Sequence, residues 1–364
     1  MDLAEARYRM PAQDARTSAP AARREALVVH ADLRWPTGTG IYNVMEAYLS
    51  RAPSHIEVEP LAVEGGVARP FTPLALTRAL KGVSSRDGVF WNPGFVPPVP
   101  TLREHCASVV TVHDLTHRHF YSRAHRLYYD HVFRWFYRRC AAVVCVSEFT
   151  RNEFLAWSGM SPDRVHVIVN GVDAAYAQNR ETLDYPFPYV LYPGNRRSYK
   201  NLNRLIEAFS ASGLAQSGVR LVLTGSPDEA LIDHARRCGS EASLVFAGVL
   251  PNDAMPKLYR GALFLAFVSL YEGFGLPILE AMASGVPVLT SNLSSMPEVA
   301  GQAAMLVDPL SVPDIAAAMK RLAEDRGWRD ELIARGYERV THFDWDASAA
   351  TLWSLVDEVG HSAR

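Results

Sequence analysis

Strand-like and helix-like segments alternate along this chain of 364 residues, from about residue 26 to its end. The strand-like segments are short apolar runs, which are typical of strands buried on both faces of a parallel sheet. Amphipathic helical patterns separate most of them, so we expect helices on both sides of each sheet. The predicted strands span residues 26–31, 56–63, 89–91, 109–112, 142–146 and 165–169, then 189–192, 220–224, 244–247, 263–268, 286–290 and 304–307.

The chain is expected to divide near residues 171–187. A polar stretch there ends in Tyr185-Pro-Phe-Pro188, which has two prolines and no periodicity and is typical of a linker. Right-handed crossovers would make each half a doubly wound, Rossmann-like α/β domain. The predicted divisions are a flexible leader at 1–24, domains at 25–178 and 179–341, and a C-terminal helical segment at 342–364.

Composition limits the classes of partner and location. The formal net charge is −2, so no overall basic field favours nucleic acid. No apolar run approaches the roughly 20 residues that span a bilayer, and the first residues lack the apolar core of a secretory signal. Four cysteines lack metal-ligand spacing, and no acidic pair follows a strand convincingly. We therefore expect a cytoplasmic protein with no obligatory metal or other cofactor.

The most informative motif is Ser269-Leu-Tyr-Glu-Gly-Phe-Gly-Leu-Pro-Ile-Leu-Glu280, which follows an apolar run at 262–268. Its two glycines permit close backbone approach to a ligand, and Pro277 suits the first position of a helix. A helix N-terminus attracts phosphate. Glu272 and Glu280 flank this turn and can accept hydrogen bonds from sugar hydroxyls. The motif therefore predicts a pocket for an anion flanked by two carboxylates.

Two glutamates with seven residues between them, and Gly-Phe-Gly-Leu-Pro inside, resemble the donor-site signature of retaining glycosyltransferases of family 4. The resemblance covers nearly the whole chain after about residue 26. Further matching segments are Val112-His-Asp-Leu115, Val146-Ser-Glu-Phe-Thr150, Asn170-Gly-Val-Asp173, Tyr192-Pro-Gly-Asn195, Lys200-Asn-Leu202, Gly285-Val-Pro-Val-Leu-Thr290, Pro297-Glu-Val299 and Asp308-Pro309. The resemblance implies the GT-B fold, two domains facing a cleft, with a C-terminal helix that crosses back to the first domain. A helix packed only on the second domain is the alternative.

The resemblance also implies roles around the motif. Glu280 would hydrogen-bond the nucleoside ribose, and Glu272 would lie near the sugar hydroxyls. Without the other motifs, both would be acids that complement a helix dipole. Gly225, just after a predicted strand, is expected at the same edge of the cleft. The backbone expected to contact sugar and phosphate comprises Gly273, Phe274, Gly275 and Leu276.

A basic cluster, Gly194-Asn-Arg-Arg-Ser-Tyr-Lys-Asn201, follows the first strand of the second half. Preorganised cations stabilise a departing nucleoside diphosphate. Lys200 matches the family's diphosphate-binding lysine by its six-residue offset from Gly194. Some members carry Arg directly after the glycine, where this chain has Asn, so either Arg196 or Arg197 substitutes, with Arg196 preferred. A solvated basic turn is the alternative.

In the first half, Trp35-Pro-Thr-Gly-Thr-Gly40 lies between a strand and a helix. Gly38 and Gly40 permit a tight turn at the helix start. A dehydrogenase fingerprint would need a third glycine, but position 43 is Asn. The resemblance implies that this loop faces the cleft and touches the donor phosphate or the acceptor. A turn that simply packs is the alternative.

His113 and Asp114 follow the strand at 109–112. Ligands of open α/β sheets bind beyond the carboxyl ends of the strands. His113 can hydrogen-bond the transferred sugar or accept the acceptor proton. Family members often carry a His here that contacts the sugar, which favours the first role. A His held by structural bonds is the alternative.

The segment from Tyr121 to Arg139 combines five arginines with seven aromatic residues in a helical pattern. A basic aromatic helix can lie on an anionic membrane surface, which would suit a lipid-linked acceptor. We favour the alternative, a packing helix whose arginines reach outward to water.

The predicted function is transfer of a hexose from a nucleotide sugar to a hydroxyl of a glycan or lipid-linked acceptor. Retention of configuration is implied by the family. The Tyr-Pro-Gly-Asn and Lys-Asn-Leu segments look like those of members that use mannose or deoxyhexoses in bacterial surface polysaccharides. GDP-mannose is thus preferred, with UDP-glucose and UDP-N-acetylglucosamine open. The rivals are a nucleotide-sugar epimerase or dehydrogenase on a related scaffold, and a non-catalytic nucleotide-sugar binding protein.

Overall fold

A computed structural model describes residues 26–67, 69–81, 83, 88–100 and 106–362. The predicted leader at 1–24 lies outside these residues. Within them the strands form two parallel sheets of six strands each, as the sequence predicts. The differences from the predicted strands are of one to three residues at the ends, where hydrogen bonding to the neighbouring strand stops.

The N-terminal sheet has the order β2-β1-β3-β4-β5-β6, once its strands are numbered along the chain. The strands are β1 (Leu27–Ala31), β2 (Ile56–Pro60), β3 (Val89–Asn92), β4 (Ala107–Val112), β5 (Ala142–Cys145) and β6 (Val165–Val167). Val29 on β1 pairs with Val58 on one side and Val89 on the other. The central strands are buried on both faces, which explains their continuous apolar runs.

The C-terminal sheet has the order β12-β11-β10-β7-β8-β9. Its strands are β7 (Tyr189–Tyr192), β8 (Arg220–Leu223), β9 (Leu244–Phe246), β10 (Phe264–Phe267), β11 (Val288–Ser291) and β12 (Met305–Val307). Every residue of β7, β10 and β11 is buried.

Helices cover both faces of each sheet, and polar side chains start several of them. The helices of the first domain and linker are α1 (Gly40–Leu49), α2 (Thr72–Ala79), α3 (Thr116–His119), α4 (Arg123–Tyr128), α5 (Arg134–Tyr137), α6 (Glu148–Ser158) and α7 (Ala174–Gln178). Those that follow are α8 (Leu202–Ala211), α9 (Glu229–Arg237), α10 (Met255–Arg260), α11 (Leu276–Ala283), α12 (Met296–Ala300), α13 (Val312–Glu324), α14 (Arg326–Val340) and α15 (Trp345–Ser362). The expected linker thus contains a helix, α7, because Asp173 caps it by accepting the N–H of Ala175.

Each sheet reverses its strand order once, between β1 and β3 and between β7 and β10. Open α/β sheets bind ligands at such switch points, beyond the carboxyl ends of the strands. The loop after β1 carries Gly38 and Gly40, the loop after β7 carries Lys200, and the loop after β10 carries Glu272. The topology therefore places three of the sequence motifs at the two switch points.

The C-terminal helix α15 packs on the first domain. The Trp353 indole donates to Tyr48 O at 3.0 Å, and its ring lies 5.2 Å from that of Trp91. Gly360 lies so close to Leu27 and Val89 that a Cβ there would be 2.8 Å from Leu27. The helix therefore ties the end of the second domain to the first sheet.

Candidate active site

Lys200 and Glu272 meet at the switch point of the C-terminal sheet. The Lys200 Nζ lies 2.7 Å from Glu272 Oε1 and 2.9 Å from Oε2. Both side chains are only about one-tenth exposed, at 11% and 12%, and Nζ lies 5.3 Å from the centre of the Phe267 ring. An ammonium has three donors, so one N–H remains for another acceptor. The pair can therefore bind an anion through lysine while the carboxylate keeps free lone pairs.

The backbone after Glu272 is oriented by one serine. The Ser295 hydroxyl lies 2.9 Å from Glu272 O and 2.8 Å from Phe274 O and donates to both. Because the C=O and N–H of a planar trans peptide point in opposite directions, the N–H groups of Gly273 and Gly275 point away from Ser295. Helix α11 begins directly after Gly275, which has φ +109°. Two N–H groups of similar direction beside a helix start suit an anion.

Gly273 is where the two domains touch. The Ser147 and Thr150 hydroxyls, from the start of α6, lie 2.6 and 3.0 Å from Gly273 O and donate to it. A Cβ on Gly273 would overlap His113 O and lie 2.8 Å from the Asp114 Cβ. Glycine is therefore required for this approach, which brings the predicted residues Gly273 and His113 together. The Phe274 side chain, in contrast, is buried against Phe343.

A second bond across the domains comes from Glu298 on α12. Its two carboxylate oxygens accept the N–H groups of Glu148 and Phe149, at 2.8 and 3.0 Å, in the first turn of α6. A carboxylate at this position satisfies unpaired donors and complements the helix dipole. The C-terminal domain thus caps a helix of the N-terminal domain.

Tyr271, next to Glu272, makes a third such bond. Its hydroxyl accepts the Leu115 N–H at 3.0 Å and donates to Glu153 on α6, which also bonds His119. Sequence reasoning assigned no role to Tyr271, Ser147, Thr150 or Glu298. The last three lie in segments that match the family, and this match could have indicated that they have a role.

Arg196 stays within the C-terminal domain. Its guanidinium donates to Thr224 O at 3.1 Å and lies 3.7 Å from Asp228 Oδ2. The side-chain hydroxyl of Thr224 accepts the Gly194 N–H at 2.9 Å. A Cβ on Gly225, which has φ +85°, would lie 3.3 Å from Arg196 Nη2. The structure therefore brings Gly194, Arg196 and Gly225 together at the end of β8.

Arg197 points the other way. It is exposed, bonds the Tyr121 hydroxyl of the N-terminal domain, and has its Cζ 5.8 Å from that ring. The adjacent arginines thus have different partners: Arg196 stays within the C-terminal domain, and Arg197 reaches a tyrosine of the N-terminal domain.

His113 is fixed in one tautomer. Its Nε2 lies 2.7 Å from Pro93 O, and a carbonyl can only accept, so Nε2 carries the proton. Burial lowers the pKa of the His113 imidazole, against the opposing effects of Pro93 O and Asp114. The ring is therefore neutral at pH 7, with Nδ1 as an acceptor. The Asp114 carboxylate instead accepts the Thr116 N–H at 2.9 Å, just before α3.

Glu280 lies on α11, away from the Lys200 pair. It accepts hydrogen bonds from the Tyr259 and Tyr176 hydroxyls, and burial raises the pKa of its carboxyl despite them. A carboxylate offers about four lone-pair sites, so two tyrosines do not exhaust it. Leu276, at the start of the same helix, is half-buried and packs against the cores of both domains.

Gly38 and Gly40 lie on an open loop at the start of α1. Thr39 caps the helix by accepting the Tyr42 N–H at 3.2 Å, and Gly38 has φ +79°. A Cβ at either glycine would meet no atom within 4 Å. The loop therefore faces space rather than packing on a neighbour.

No cluster of three or more His, Cys, Asp or Glu that could hold a metal occurs in the part of the chain that the structure describes. The same described residues include no helix with the length and apolar character needed to cross a bilayer.

Comparison with known proteins gives a consistent result. Residues 177–339 match the family Glycosyl transferases group 1, and residues 60–176 match Glycosyltransferase Family 4. The O-antigen chain mannosyltransferase B of Escherichia coli is 28% identical over 277 residues, which are 72% of this chain and 72% of that protein.

Two solved structures share the fold. WaaG, a glycosyltransferase involved in lipopolysaccharide biosynthesis, has a TM-score of 0.68 at 14% identity over 91% of this chain and 99% of that one. Anabaena HepE, in complex with UDP and glucose, has a TM-score of 0.69 at 16% identity over 92% of this chain and 100% of that one. The predicted GT-B fold class is confirmed.

Proposed function

The chain belongs to the family 4 glycosyltransferases with the GT-B fold, and we propose that it transfers a hexose from a nucleotide sugar to an acceptor hydroxyl with retention of configuration. The observation that carries this proposal is the contact of Lys200 with Glu272, which lies beside the glycine that touches His113. Lys200 and Glu272 thus contact each other one residue from the point where the C-terminal domain meets the His113 backbone.

GDP-mannose is the proposed donor, and the acceptor is a hydroxyl of a glycan or of a lipid-linked glycan. The similarity to an O-antigen chain mannosyltransferase supports mannose and a role in surface polysaccharide synthesis. Such a donor is made in the cytoplasm, so the proposed location is cytoplasmic.

The proposed roles follow from charge. Lys200, Arg196 and the N–H groups of Gly273 and Gly275 would stabilise the diphosphate as it departs. Arg197 is the alternative candidate for binding the diphosphate. Glu272 would accept hydrogen bonds from the sugar hydroxyls.

The bonds would exchange on one face of the sugar. The acceptor oxygen bonds to the anomeric carbon on the face from which the diphosphate oxygen leaves. The acceptor proton passes to that departing oxygen, so no side chain needs to become a covalent nucleophile.

The remaining predicted residues would bind and position the donor. His113, with Nδ1 as acceptor, would take a hydrogen bond from a sugar hydroxyl. Glu280 would accept a hydrogen bond from the ribose. The backbone at Gly194 and Gly225 would line the donor site. Gly38 and Gly40 would let the start of α1 approach the donor phosphate or the acceptor.

The test is a thermal-shift panel of GDP, UDP, ADP and dTDP sugars, followed by NMR of the product made from GDP-mannose. At about 100 times its dissociation constant, the true donor stabilises the protein by roughly 2.7 kcal/mol. We expect GDP-mannose to give the largest shift and an α-linked product. A product formed without acceptor, a change in nicotinamide absorbance, or an inverted linkage would contradict the proposal.

A further inference from the structure

The basic aromatic segment forms a helix with two different faces. Helix α4, a π turn at Tyr129–Phe133 and α5 follow one another without a break. Tyr129, Phe133 and Tyr137 are buried in the core of the first domain, so packing explains this face. Leu127 is 58% exposed and Trp135 47% exposed on the other side. Packing therefore leaves a second face uncovered.

A neighbouring segment extends this outer face. The Tyr128 hydroxyl bonds Pro70 O, which places the start of α2 beside α4. The adjacent Phe71 is 78% exposed, and Leu74 is also exposed one turn later. Large apolar side chains from two helices thus lie on the same side of the first domain.

The two segments carry a concentrated positive charge. Residues 69–81 and 121–139 contain eight Lys and Arg and one carboxylate, Asp130, in a chain whose net charge is −2. Asp130 is already paired with arginines, because Arg118 donates to it at 3.0 Å and Arg126 lies 3.7 Å from it. The local excess of cations is therefore not balanced within the segments.

Two of the arginines are held by the backbone at the end of a neighbouring helix. Arg134 and Arg138 donate to Ser158 O, at 3.3 and 2.7 Å, at the end of α6. Four exposed cations pair with no carboxylate among the residues described: Arg78, Lys81, Arg123 and Arg139. Their side chains are exposed and can meet an external anionic surface.

We propose that this basic aromatic face lies on an anionic phospholipid bilayer. The face is defined by Phe71, Leu74, Leu127 and Trp135 with Arg78, Lys81, Arg123 and Arg139. Its apolar side chains would enter the boundary between headgroups and acyl chains, while its cations attract lipid phosphates.

One end of the face reaches the cleft. The Phe120 ring lies 5.2 Å from that of Tyr199 and 5.9 Å from that of Tyr271, and the Tyr121 hydroxyl bonds Arg197. If the protein binds the bilayer through this face, its cleft would lie close to the lipid headgroups. This link to a lipid-linked acceptor rests on the proposed function; binding to the bilayer does not.

The experiment is co-sedimentation of the full chain with vesicles of phosphatidylcholine alone or with about 30% phosphatidylglycerol, at low and high salt. We expect binding to the anionic vesicles only, weakened by salt. Each of R78A, K81A, R123A and R139A should weaken binding about five-fold. The triple variant F71S/L127S/W135S should weaken it about ten-fold or more.

Matched controls lie on the second domain. R237A/R326A and V249S/L310S change exposed residues of the same types and should bind as the unchanged chain does. Circular dichroism melting shows which variants are folded. Equal binding to neutral vesicles, no binding at low salt, or full binding by the folded face variants would overturn the proposal. No donor or acceptor is present, so this result is independent of whether the proposed reaction occurs.

Discussion

The two walls of the cleft differ in how they carry charge. The C-terminal wall presents Lys200, Glu272 and Arg196, each held by a partner of opposite charge. The N-terminal wall presents a neutral His113 and the open loop of Gly38. Charges that are already paired and partly buried suit a diphosphate, since little reorganisation is needed to stabilise it. A neutral wall of hydrogen-bonding groups suits sugar hydroxyls.

The walls are nonetheless not independent. Gly273, on the C-terminal wall, takes hydrogen bonds from Ser147 and Thr150 of the N-terminal domain. Glu298 in turn caps α6, the helix that carries both hydroxyls. The position of the charged wall therefore depends on a helix of the N-terminal domain.

The largest expected effect tests the charged wall. Glu272→Gln keeps the size of the side chain but removes the carboxylate that faces Lys200 and, in our proposal, the sugar. We expect kcat to fall on the order of 10²- to 10³-fold, which corresponds to about 2.7–4 kcal/mol. Steady-state transfer assays with GDP-mannose measure it. Glu338→Gln, an exposed glutamate on α14, is the control and should leave kcat unchanged. Equal kcat values for the two variants would show that Glu272 is not part of the active site.

The next effect tests a buried histidine in the core of the N-terminal domain. Burial lowers the pKa of His117, which stacks on Tyr129, to about 4, and the unfolded value is about 6.5. Between these values the unfolded chain binds a proton that the folded chain does not, so the free energy of unfolding falls as pH falls from 6.5 to 4. The full change is about 3 kcal/mol.

Urea unfolding at pH 7, 6 and 5 measures this loss. His117→Phe keeps an aromatic ring against Tyr129 but cannot bind a proton, so its free energy of unfolding should fall less over the same range. If the free energy of unfolding fell equally with pH for the two proteins, His117 would not be the group that takes up the proton on unfolding.

The strands could be predicted from the sequence because they depend on local pattern. Buried parallel strands are apolar throughout, and Lys200 and Glu272 lie in motifs that follow such strands. The bonds across the seam were not predictable, since Gly273 and Ser147 are separated by 126 positions and Glu298 and Glu148 by 150. No local pattern reports such a contact.

The two neighbouring arginines show the same limit of prediction from sequence. Arg196 and Arg197 are neighbours in sequence, but their side chains bond different partners. Asp228 and Tyr121, each distant along the chain, are among these partners. The linker is a further case. Its prolines concealed a short helix whose Tyr176 bonds Glu280, a partner about one hundred residues away.

The smallest effect tests the link between the walls. Glu298→Ala removes two charge-assisted bonds to the start of α6, and the free energy of unfolding should fall by about 1–2 kcal/mol. Chemical unfolding measures the change, with Glu338→Ala as the control. A loss no larger than that of the control would mean that the domains hold their positions without this cap.

Binding of GDP and GMP to the unchanged chain and to Lys200→Ala, measured by calorimetry, tests the central claim most directly. GDP carries the second phosphate that Lys200 is proposed to bind, and GMP lacks it. We expect Lys200→Ala to weaken GDP binding on the order of 10- to 100-fold, the range for losing a strong charge-assisted bond, and to leave GMP binding nearly unchanged. Equal weakening of both nucleotides, or of neither, would contradict a diphosphate site at Lys200.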